Sequence, residues 1–240
     1  MATYIFTLGY HEDYIIRRLH MNKADASDKI YVVTVKPLTG TSLKAFDNLE
    51  AYCMRLGLQK PVLVEIDVRS EGREFLDLLD ELIDVVLYAE EPLVIDVSGG
   101  MRILGLTLYT AALVTGKRAV LYISPENEPI EYRIDLEEIK TLATELTEEK
   151  KQVIEAVLRN PGTTIPEIAK ELNKSEKTIT NHINTLKKQR LVAAKGKRNN
   201  LYLTKLGKIK TKIMKYSTEK KPIEETKIQQ QKTKNQQKEI

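Results

Sequence analysis

The sequence predicts two domains: a doubly wound α/β domain with a mainly parallel sheet in residues 1–135, and a smaller domain of helices and one hairpin in residues 147–216. The first prediction rests on short runs of Val, Ile and Leu that alternate with helical patterns, as in a parallel sheet buried on both faces. The division into two domains with different partners rests on a change of net charge at about residue 147. Residues 1–146 contain 15 Lys and Arg against 24 Asp and Glu, whereas residues 147–240 contain 23 against 10. A basic second part attracts a polyanion such as nucleic acid, although a solvated Lys-rich surface has the same composition.

Five apolar runs predict the strands, and the gaps between them predict the helices. The strands are predicted at 4–8, 30–35, 62–66, 93–95 and 119–123, and the helices at about 12–17, 42–56, 72–89 and 101–115. Beyond the carboxyl ends of parallel strands, loops present backbone N–H groups and helix N-termini to ligands. The binding residues are therefore expected in the loops that follow the strands.

Composition limits the class of protein. Cys53 is the single cysteine, so an internal disulfide and a multi-cysteine zinc site are excluded. Its spacing from Phe46, Leu49 and Leu56 predicts a place in the core. The first residues lack a signal-peptide pattern, and no apolar stretch approaches the roughly 18 residues of a membrane span. We therefore expect a cytoplasmic protein with no membrane partner and no bound metal.

The loop after the fourth strand has the composition of an anion site. Ser98, Gly99 and Gly100 allow the backbone to approach an anion, and the N-terminus of the next helix adds partial positive charge. Arg102 can form a forked contact with a phosphate. Glycines after strands also serve turn geometry alone, so this loop by itself leaves both interpretations open.

The loop after the first strand is a second candidate. Gly9 allows close approach, and Tyr10 and His11 can stack on a base or form hydrogen bonds with it. Because both loops follow strands of one parallel sheet, they are expected at the same edge of that sheet. Their convergence favours a shared ligand site.

The loop at 36–42 can form a third wall of this site. It contains Thr39 and Gly40, although Thr41 or Ser42 can instead serve only as the cap of the next helix. A dinucleotide cofactor is not expected, because the first loop has one glycine where the dinucleotide fingerprint has three, and no acidic residue follows the second strand. No cofactor is therefore predicted.

Residues 136–146 predict a connector helix. Asp135 and Glu138 form a capping-box pattern at its start. One face of the helix carries the apolar residues Leu136, Ile139, Leu142, Ala143 and Leu146. This stripe can pack on its own sheet or on a partner chain, and the sequence leaves both open.

Residues 147–216 have the pattern of a helix-turn-helix domain. The first helix stops at Asn160, Thr164 and Glu167 form a capping box that opens the second helix, and Ser175 caps the third. The order of these signals within one short segment predicts DNA binding.

The third helix predicts the surface that contacts DNA. Ile179, Ile183 and Leu186 share a buried face with His182 at its flank, and the opposite face is polar. Asn can bind adenine, Thr can contact a thymine methyl group and Lys can neutralise a phosphate. The residues predicted to contact DNA are Ser175, Lys177, Thr178, Asn181, Asn184, Thr185 and Lys188.

The hairpin after the third helix predicts a wing. Its strands are predicted at 191–195 and 201–204, and the turn between them places Lys197 and Arg198 for contact with the DNA backbone or minor groove. A protein-interaction domain of winged-helix shape is the alternative. A helix is expected from about residue 208, and the Lys-rich and Gln-rich residues 217–240 are expected to form a disordered tail.

Three features give the chain its resemblance to a known family. They are Thr7-Leu-Gly-Tyr-His11 after the first strand, Asp96-Val-Ser-Gly-Gly-Met-Arg102 after the fourth, and the winged helix that follows. With these features the chain resembles archaeal CRISPR-associated regulators that join a CARF domain, which has a Rossmann-like fold, to a winged helix. The resemblance covers nearly all of residues 1–216.

The resemblance implies a function in antiviral defence. Proteins of this kind form a homodimer through their N-terminal domains and bind a cyclic oligoadenylate, typically cyclic tetra-adenylate, across the twofold axis. They bind double-stranded DNA at promoters or leader sequences of CRISPR and cas loci. Transferred to this chain, the ligand residues are Gly9, Tyr10, His11, Ser98, Gly99, Gly100, Met101 and Arg102.

We therefore expect a ligand-responsive transcriptional regulator without enzymatic activity. One alternative is a ring nuclease that degrades its own cyclic oligoadenylate, as some CARF domains do. At the two loops, His11 is the only side chain that exchanges a proton near neutral pH, and no strong acid/base pair is visible. The other alternative is an adaptor that recruits CRISPR components without contacting DNA.

Overall fold

The computed structural model describes residues 1–125 and 130–218. These residues divide into two compact units, Met1–Lys140 and a second unit that begins at Thr141. Within the described ranges, no helix is both long enough and apolar enough to cross a membrane. The expected tail at 217–240 lies almost wholly outside the described residues.

The first unit is built on a six-stranded sheet in the order β3-β2-β1-β4-β5-β6. The first five strands are parallel, and β6 is antiparallel to β5, with Leu121 opposite Ile134. The predicted fold class, a doubly wound and mainly parallel sheet, is confirmed. The strands are β1 Thr3–Thr7, β2 Lys29–Val35, β3 Val62–Ile66, β4 Leu93–Asp96, β5 Ala119–Ile123 and β6 Tyr132–Asp135.

Helices cover both faces of this sheet, and the alternation of side chains along β1 explains why. Tyr4, Phe6 and Leu8 point into a core formed with α1 and α2. Ile5 points to the other face, into a core formed with α3 and α4. The helices are α1 Asp13–Met21, α2 Gly40–Arg55, α3 Phe75–Tyr88 and α4 Arg102–Val114, followed by α5 Leu136–Ala143.

Cys53 lies in the first of these cores, as predicted from its helical spacing. Its side chain is buried beside Leu49, and burial raises the pKa of the thiol to about 11. Leu56 was expected on the same face but is exposed, because α2 ends at Arg55 and Leu56 is its C-terminal cap.

The predicted connector helix is shorter than expected. Helix α5 ends at Ala143, and Leu136 is buried in the core of the first unit, so this part of the stripe packs on its own sheet. Leu146 is instead buried in the core of the second unit. The buried ammonium group of Lys210 donates hydrogen bonds to the carbonyl oxygens of Leu142 and Thr144, at 2.8 and 2.5 Å. These bonds satisfy carbonyl groups that a longer helix would have used internally.

The second unit is a winged helix-turn-helix, as predicted. The Thr164–Glu167 capping box is present, and Thr204 caps the last helix by accepting a hydrogen bond from the amide of Gly207. This cap explains why the last helix begins earlier than predicted. The elements are α6 Glu148–Arg159, α7 Ile165–Glu171, α8 Glu176–Lys188, β7 Val192–Lys195, β8 Asn200–Leu203 and α9 Lys205–Thr218.

Candidate ligand cavity and nucleic-acid interface

A cavity of about 590 Å³ lies where the strand order of the first unit reverses. Strands β1, β2 and β3 extend the sheet in one direction and β4 lies on the other side of β1, so the helices that follow β1 and β4 pack on opposite faces of the sheet. Ligands of doubly wound folds bind at such a switch point. The lining comes from the ends of four strands and consists of Leu8, Gly9, Tyr10, His11, Tyr14, Thr34, Val35, Pro37, Thr39, Ser42, Arg69, Ser98, Gly99, Gly100 and Met101.

Most of the predicted ligand residues line this cavity. Gly40 and Arg102 do not, because Gly40 is the first residue of α2 and Arg102 is the exposed first residue of α4. The N-cap of α2 is Thr39, so the expectation that Thr41 or Ser42 caps this helix is wrong. The predicted residues that do line the cavity are Gly9, Tyr10, His11, Thr39, Ser98, Gly99, Gly100 and Met101.

The glycines form the floor of the cavity because the two loops touch there. A Cβ atom on Gly9 would lie 2.8 Å from the amide nitrogen of Gly100, and one on Gly99 would lie 2.8 Å from the carbonyl oxygen of Thr7. Gly100 has a φ of +75°, which also favours glycine. Contact between the loops is thus sufficient to require these glycines, whereas the sequence interpretation assigned them to the approach of an anion.

Ser98 lines the cavity, but its polar groups are already engaged. Its amide donates to the carboxylate of Asp96 at 3.0 Å, and its hydroxyl also bonds to that carboxylate. The hydroxyl oxygen accepts a hydrogen bond from the amide of Ser124 at 2.9 Å. The geometry therefore gives Ser98 a positioning role, in that it connects the ends of β4 and β5.

Asp96 is in turn held by a buried arginine. The Nε atom of Arg18, on α1, donates to Asp96 at 3.0 Å, and another guanidinium nitrogen pairs with Glu131. The ring of Tyr122 lies 3.5 Å from the guanidinium carbon. Both charges of the Arg18–Asp96 pair are almost fully buried. Because breaking such a pair would leave a buried charge without a partner, the pair holds Asp96, and with it the start of the loop after β4, in one position.

The backbone amides of Gly99, Gly100 and the three residues that follow them are available to a ligand. Within the described residues, the backbone N–H groups of residues 99–103 donate to no hydrogen bond, and α4 has no side-chain cap. Unpaired N–H groups at a helix N-terminus attract negative charge. If the loop binds an anion as predicted, the amides of residues 99–103 are the donors that remain for it, whereas the amide of Ser98 is already bonded to Asp96.

Arg69 is a lining residue that the sequence analysis missed. It follows β3 in a turn organised by Asp67, whose carboxylate accepts hydrogen bonds from the amides of Arg69 and Ser70 at 3.0 and 3.1 Å. The hydroxyl of Ser70 also donates to this carboxylate, and the three bonds lower the pKa of Asp67 to about 2. The signal that could have identified Arg69 is its position in a charged loop directly after β3, since β3 belongs to the same parallel sheet as β1 and β4.

Helix α8 of the second unit has the two faces that were predicted. Ile179, Ile183 and Leu186 are buried, and His182 is half-buried at the flank. Ser175 caps the helix by accepting a hydrogen bond from the amide of Thr178 at 3.1 Å. The side chains exposed on this helix include Lys177, Thr178, Asn181, Asn184 and Lys188.

The hydroxyl groups on this face are less available than the amides and ammonium groups. Ser175 and Thr178 share a hydrogen bond of 2.8 Å, and the hydroxyl of the half-buried Thr185 donates to the carbonyl oxygen of Asn181. Among the described residues, the side chains of Asn181 and Asn184 form no hydrogen bond. Of the residues predicted to contact DNA, Asn181 and Asn184 therefore have exposed side-chain amides that are not used within the described part of the chain.

The hairpin carries two cations at its tip. Lys197 and Arg198 are exposed between β7 and β8, in a turn where Gly196 and Asn199 adopt positive φ angles of 76° and 54°. Both side chains match the predicted wing, since long cationic side chains on a tight turn can reach a phosphate backbone.

The fold and these surfaces define a class: a Rossmann-like domain with a cavity at its switch point, joined to a winged helix-turn-helix of the DNA-binding type. Residues 2–137 match the Csa3 CRISPR-associated Rossmann-like domain, and residues 148–193 match a winged helix-turn-helix DNA-binding domain. The chain therefore belongs to the Csa3 family of CRISPR-associated proteins, and the resemblance drawn from its motifs is confirmed.

The chain is also similar to individual proteins and solved structures. The chain is 29% identical over 210 residues to Csa3 of Saccharolobus solfataricus, whose name describes a DNA-binding protein related to the CRISPR locus, and the match covers 86% of each chain. A DNA-bound mutant of MepR from Staphylococcus aureus is 21% identical with a TM-score of 0.28, over 42% of this chain and 80% of that one. A multiple antibiotic-resistance repressor from Listeria monocytogenes is 21% identical with a TM-score of 0.27, over 42% and 78%. At such TM-scores the two structural likenesses are too distant to bear on function.

Proposed function

We propose that the chain is a ligand-responsive transcriptional regulator of CRISPR and cas loci. Its first unit binds a cyclic oligoadenylate, cyclic tetra-adenylate in particular, and its winged helix binds double-stranded DNA. The observation that carries the proposal is the combination, in one chain of the Csa3 family, of unpaired amides at a switch-point cavity with an exposed polar face on the recognition helix.

The cavity suits a nucleotide ring in two respects. The free N–H groups of residues 99–103 can bind phosphate oxygens. Tyr10, whose side chain is 71% exposed, and Tyr14 provide aromatic faces for stacking on adenine. A ring with twofold symmetry presents the same groups to two subunits, so each cavity needs to hold only part of it.

A homodimer is supported by the apolar surface of the first unit. After Arg102, helix α4 contains no charged residue, and a helix that is apolar all round is normally buried. Leu106 and Val114 on this helix nevertheless remain 56% and 60% exposed, and Leu76 and Tyr88 on the adjacent α3 remain 67% and 81% exposed. A second copy that covers α3 and α4 removes this surface from water.

Regulation then follows from linkage. A ring that binds one arrangement of the dimer more tightly shifts the population toward it, and the same free energy appears as a change in DNA affinity. No chemical step is needed, and we propose that the chain is not an enzyme. The imidazole of His11 nevertheless lines the cavity, and an imidazole can act in acid/base catalysis, which keeps ring cleavage as the alternative to be tested.

One experiment separates these functions. The full chain is incubated with cyclic tetra-adenylate, the ring is followed by mass spectrometry, and binding to a duplex from its own promoter or CRISPR leader is followed by fluorescence anisotropy. We expect an intact ring and a changed DNA affinity. Conversion of the ring to linear products identifies a ring nuclease, and the absence of DNA binding with and without the ring favours an adaptor.

A further inference from the structure

Among the residues that the structure describes, the cavity lining is free of carboxylates although the surrounding domain is acidic. Residues 1–146 contain 24 Asp and Glu against 15 Lys and Arg, yet the described lining includes no Asp or Glu. Arg69 is the arginine of this lining, and no lysine accompanies it among the described residues. The described lining is therefore a place in an acidic domain where an anion meets no fixed negative charge.

The guanidinium group of Arg69 is uncommitted. Within the described parts of the chain, it forms no ion pair and no side-chain hydrogen bond. Arg73, four positions later, is instead paired with Glu81 at 2.5 Å. An unpaired arginine on the wall of a cavity is available for a forked contact with a phosphate, which the paired Arg73 is not.

Arg69 is also held in place through its backbone. The Asp67 carboxylate binds the amides of Arg69 and Ser70, so the turn that carries the guanidinium is formed before any ligand arrives. Arg102, which the sequence analysis favoured as the source of charge, lies outside the cavity lining. The two arginines therefore have different positions relative to the same cavity.

We propose that Arg69 is the cation that binds a ligand phosphate in this cavity, opposite the unpaired amides after β4. Asp67 is a positioning residue that holds Arg69 without contacting the ligand. This assignment rests on the proposed function, in which the ligand is a cyclic oligoadenylate. It makes the β3–α3 turn part of the binding site and gives the cavity a preference for anionic ligands over neutral nucleosides.

The test is the affinity of the full chain for cyclic tetra-adenylate, measured by calorimetry at two salt concentrations. We expect Arg69→Ala to weaken binding about 10- to 100-fold, the range of a charge-assisted contact, and to reduce the salt dependence. Arg69→Lys should recover part of this loss, because it restores the charge without the fork. Arg102→Ala should weaken binding less than Arg69→Ala does.

Arg55→Ala is the matched control. It removes the same charge from an exposed site at the end of α2, outside the cavity lining, and should leave the affinity unchanged. Arg69→Ala should unfold at the same temperature as the unaltered chain, because the turn uses only the amide of residue 69. Asp67→Ala should weaken binding although the arginine is still present.

The outcomes separate the assignment of Arg69 from the proposed ligand. If the unaltered chain binds the ring and Arg69→Ala binds it equally well, the assignment is overturned. If the unaltered chain does not bind the ring, the proposed ligand is wrong, and Arg69 is then tested with adenosine 5′-monophosphate. The NMR chemical shifts of the Gly99 and Gly100 amides are followed as this probe is added. If they change equally in the unaltered chain and in Arg69→Ala, or change in neither, the assignment is also overturned.

Discussion

The hydroxyl of Thr7 donates a hydrogen bond of 2.5 Å to the carbonyl oxygen of Gly99, and a Cβ atom on Gly99 would lie 2.8 Å from the carbonyl oxygen of Thr7. The end of β1 and the loop after β4 are therefore joined by a contact in which residue 99 has no room for a side chain. We expect both the stability of the domain and its affinity for a ligand to depend on this contact.

We expect Gly99→Val to lower the free energy of unfolding by about 1–3 kcal/mol, because the added side chain forces the two loops apart. The affinity for cyclic tetra-adenylate should fall with it. The comparison is Thr7→Val, which removes the hydrogen bond without a clash and should cost about 1 kcal/mol. Chemical denaturation and ring binding measure the two effects. A Gly99→Val chain that loses ring affinity but keeps its stability would show that this glycine serves ligand approach.

The second prediction concerns the pH dependence of the Asp67 turn. Hydrogen bonds to Ser70 and to two backbone amides lower the folded-state pKa of Asp67 to about 2, from an ordinary value of 3.8. A lowered folded pKa means that ionised Asp67 stabilises the folded state above about pH 4, and that this contribution disappears as the pH falls through about 2.

Titration of the Asp67 carboxyl carbon by NMR tests this prediction. Ser70→Ala removes the hydroxyl donor, the largest cause of the shift, and should raise the pKa of Asp67 toward its ordinary value. An equal pKa in the two chains would contradict the hydrogen-bonded turn on which the position of Arg69 depends.

The third prediction contrasts two kinds of DNA contact. Asn181→Ala should relax base preference at one position of each half-site and cost about 1–3 kcal/mol on the preferred duplex. Lys197→Ala should weaken all duplexes alike and reduce the slope of log affinity against log salt by about 1. Anisotropy titrations with a specific and a random duplex measure both. If the two variants lower specific and random binding by the same factor, helix α8 does not contact bases selectively.

The fourth prediction concerns the DNA site. Two equivalent recognition helices in a homodimer should prefer a pseudo-palindrome whose half-site centres lie about one helical turn, or a multiple of it, apart. Selection from a random duplex library, with and without cyclic tetra-adenylate, shows the spacing directly. Recovery of single, unpaired half-sites would argue for a protein that binds DNA as a monomer.

The fifth prediction concerns the junction between the wing and α9. A Cβ atom on Gly207 would lie 2.1 Å from the carbonyl oxygen of Leu191, so Gly207→Ala should destabilise the second unit by about 1–3 kcal/mol or more. Lys208→Ala, at the exposed neighbouring position, should have an effect within about 0.5 kcal/mol. Thermal unfolding followed by circular dichroism compares the two. If both variants unfold at the same temperature, α9 can move away from Leu191 without a loss of stability, and the prediction is wrong.

Local signals were sufficient for the elements that depend on short-range chemistry. The capping box of Thr164 and Glu167 and the cap at Ser175 were predicted because each is formed by residues three positions apart. Strand β6 was not predicted although Tyr132–Asp135 alternates apolar and charged residues as a half-exposed strand does. A run of four residues is too short for this alternation to stand out, and the strand is defined by its antiparallel pairing with β5.

The candidate site likewise has features that the sequence could predict and features that depend on the strand order. The glycine loops could be identified from composition, but their contact through Thr7 and Gly99 depends on the strand order, which places β4 next to β1. Arg69 was missed for the same reason, because the loop after β3 contributes to the cavity only once β3 is placed beside β2. Ser98 lines the cavity as predicted, but its hydrogen bond with the amide of Ser124 could not be foreseen, because it depends on the placement of β5 beside β4.

The joined glycine loops make the cavity floor rigid before a ligand binds. Gly9, Gly99 and Gly100 already pack against backbone atoms of the opposite loop. Binding of a ligand therefore restricts the backbone little in this part of the site, and the entropic cost of binding falls mainly on the side chains of the cavity walls. The floor is thus a fixed reference surface, and the side chains carried by the loops after β2 and β3 are the parts that can adjust to different ligands. Discrimination between rings of different size is therefore expected to evolve through changes in these two loops, with the glycines left untouched.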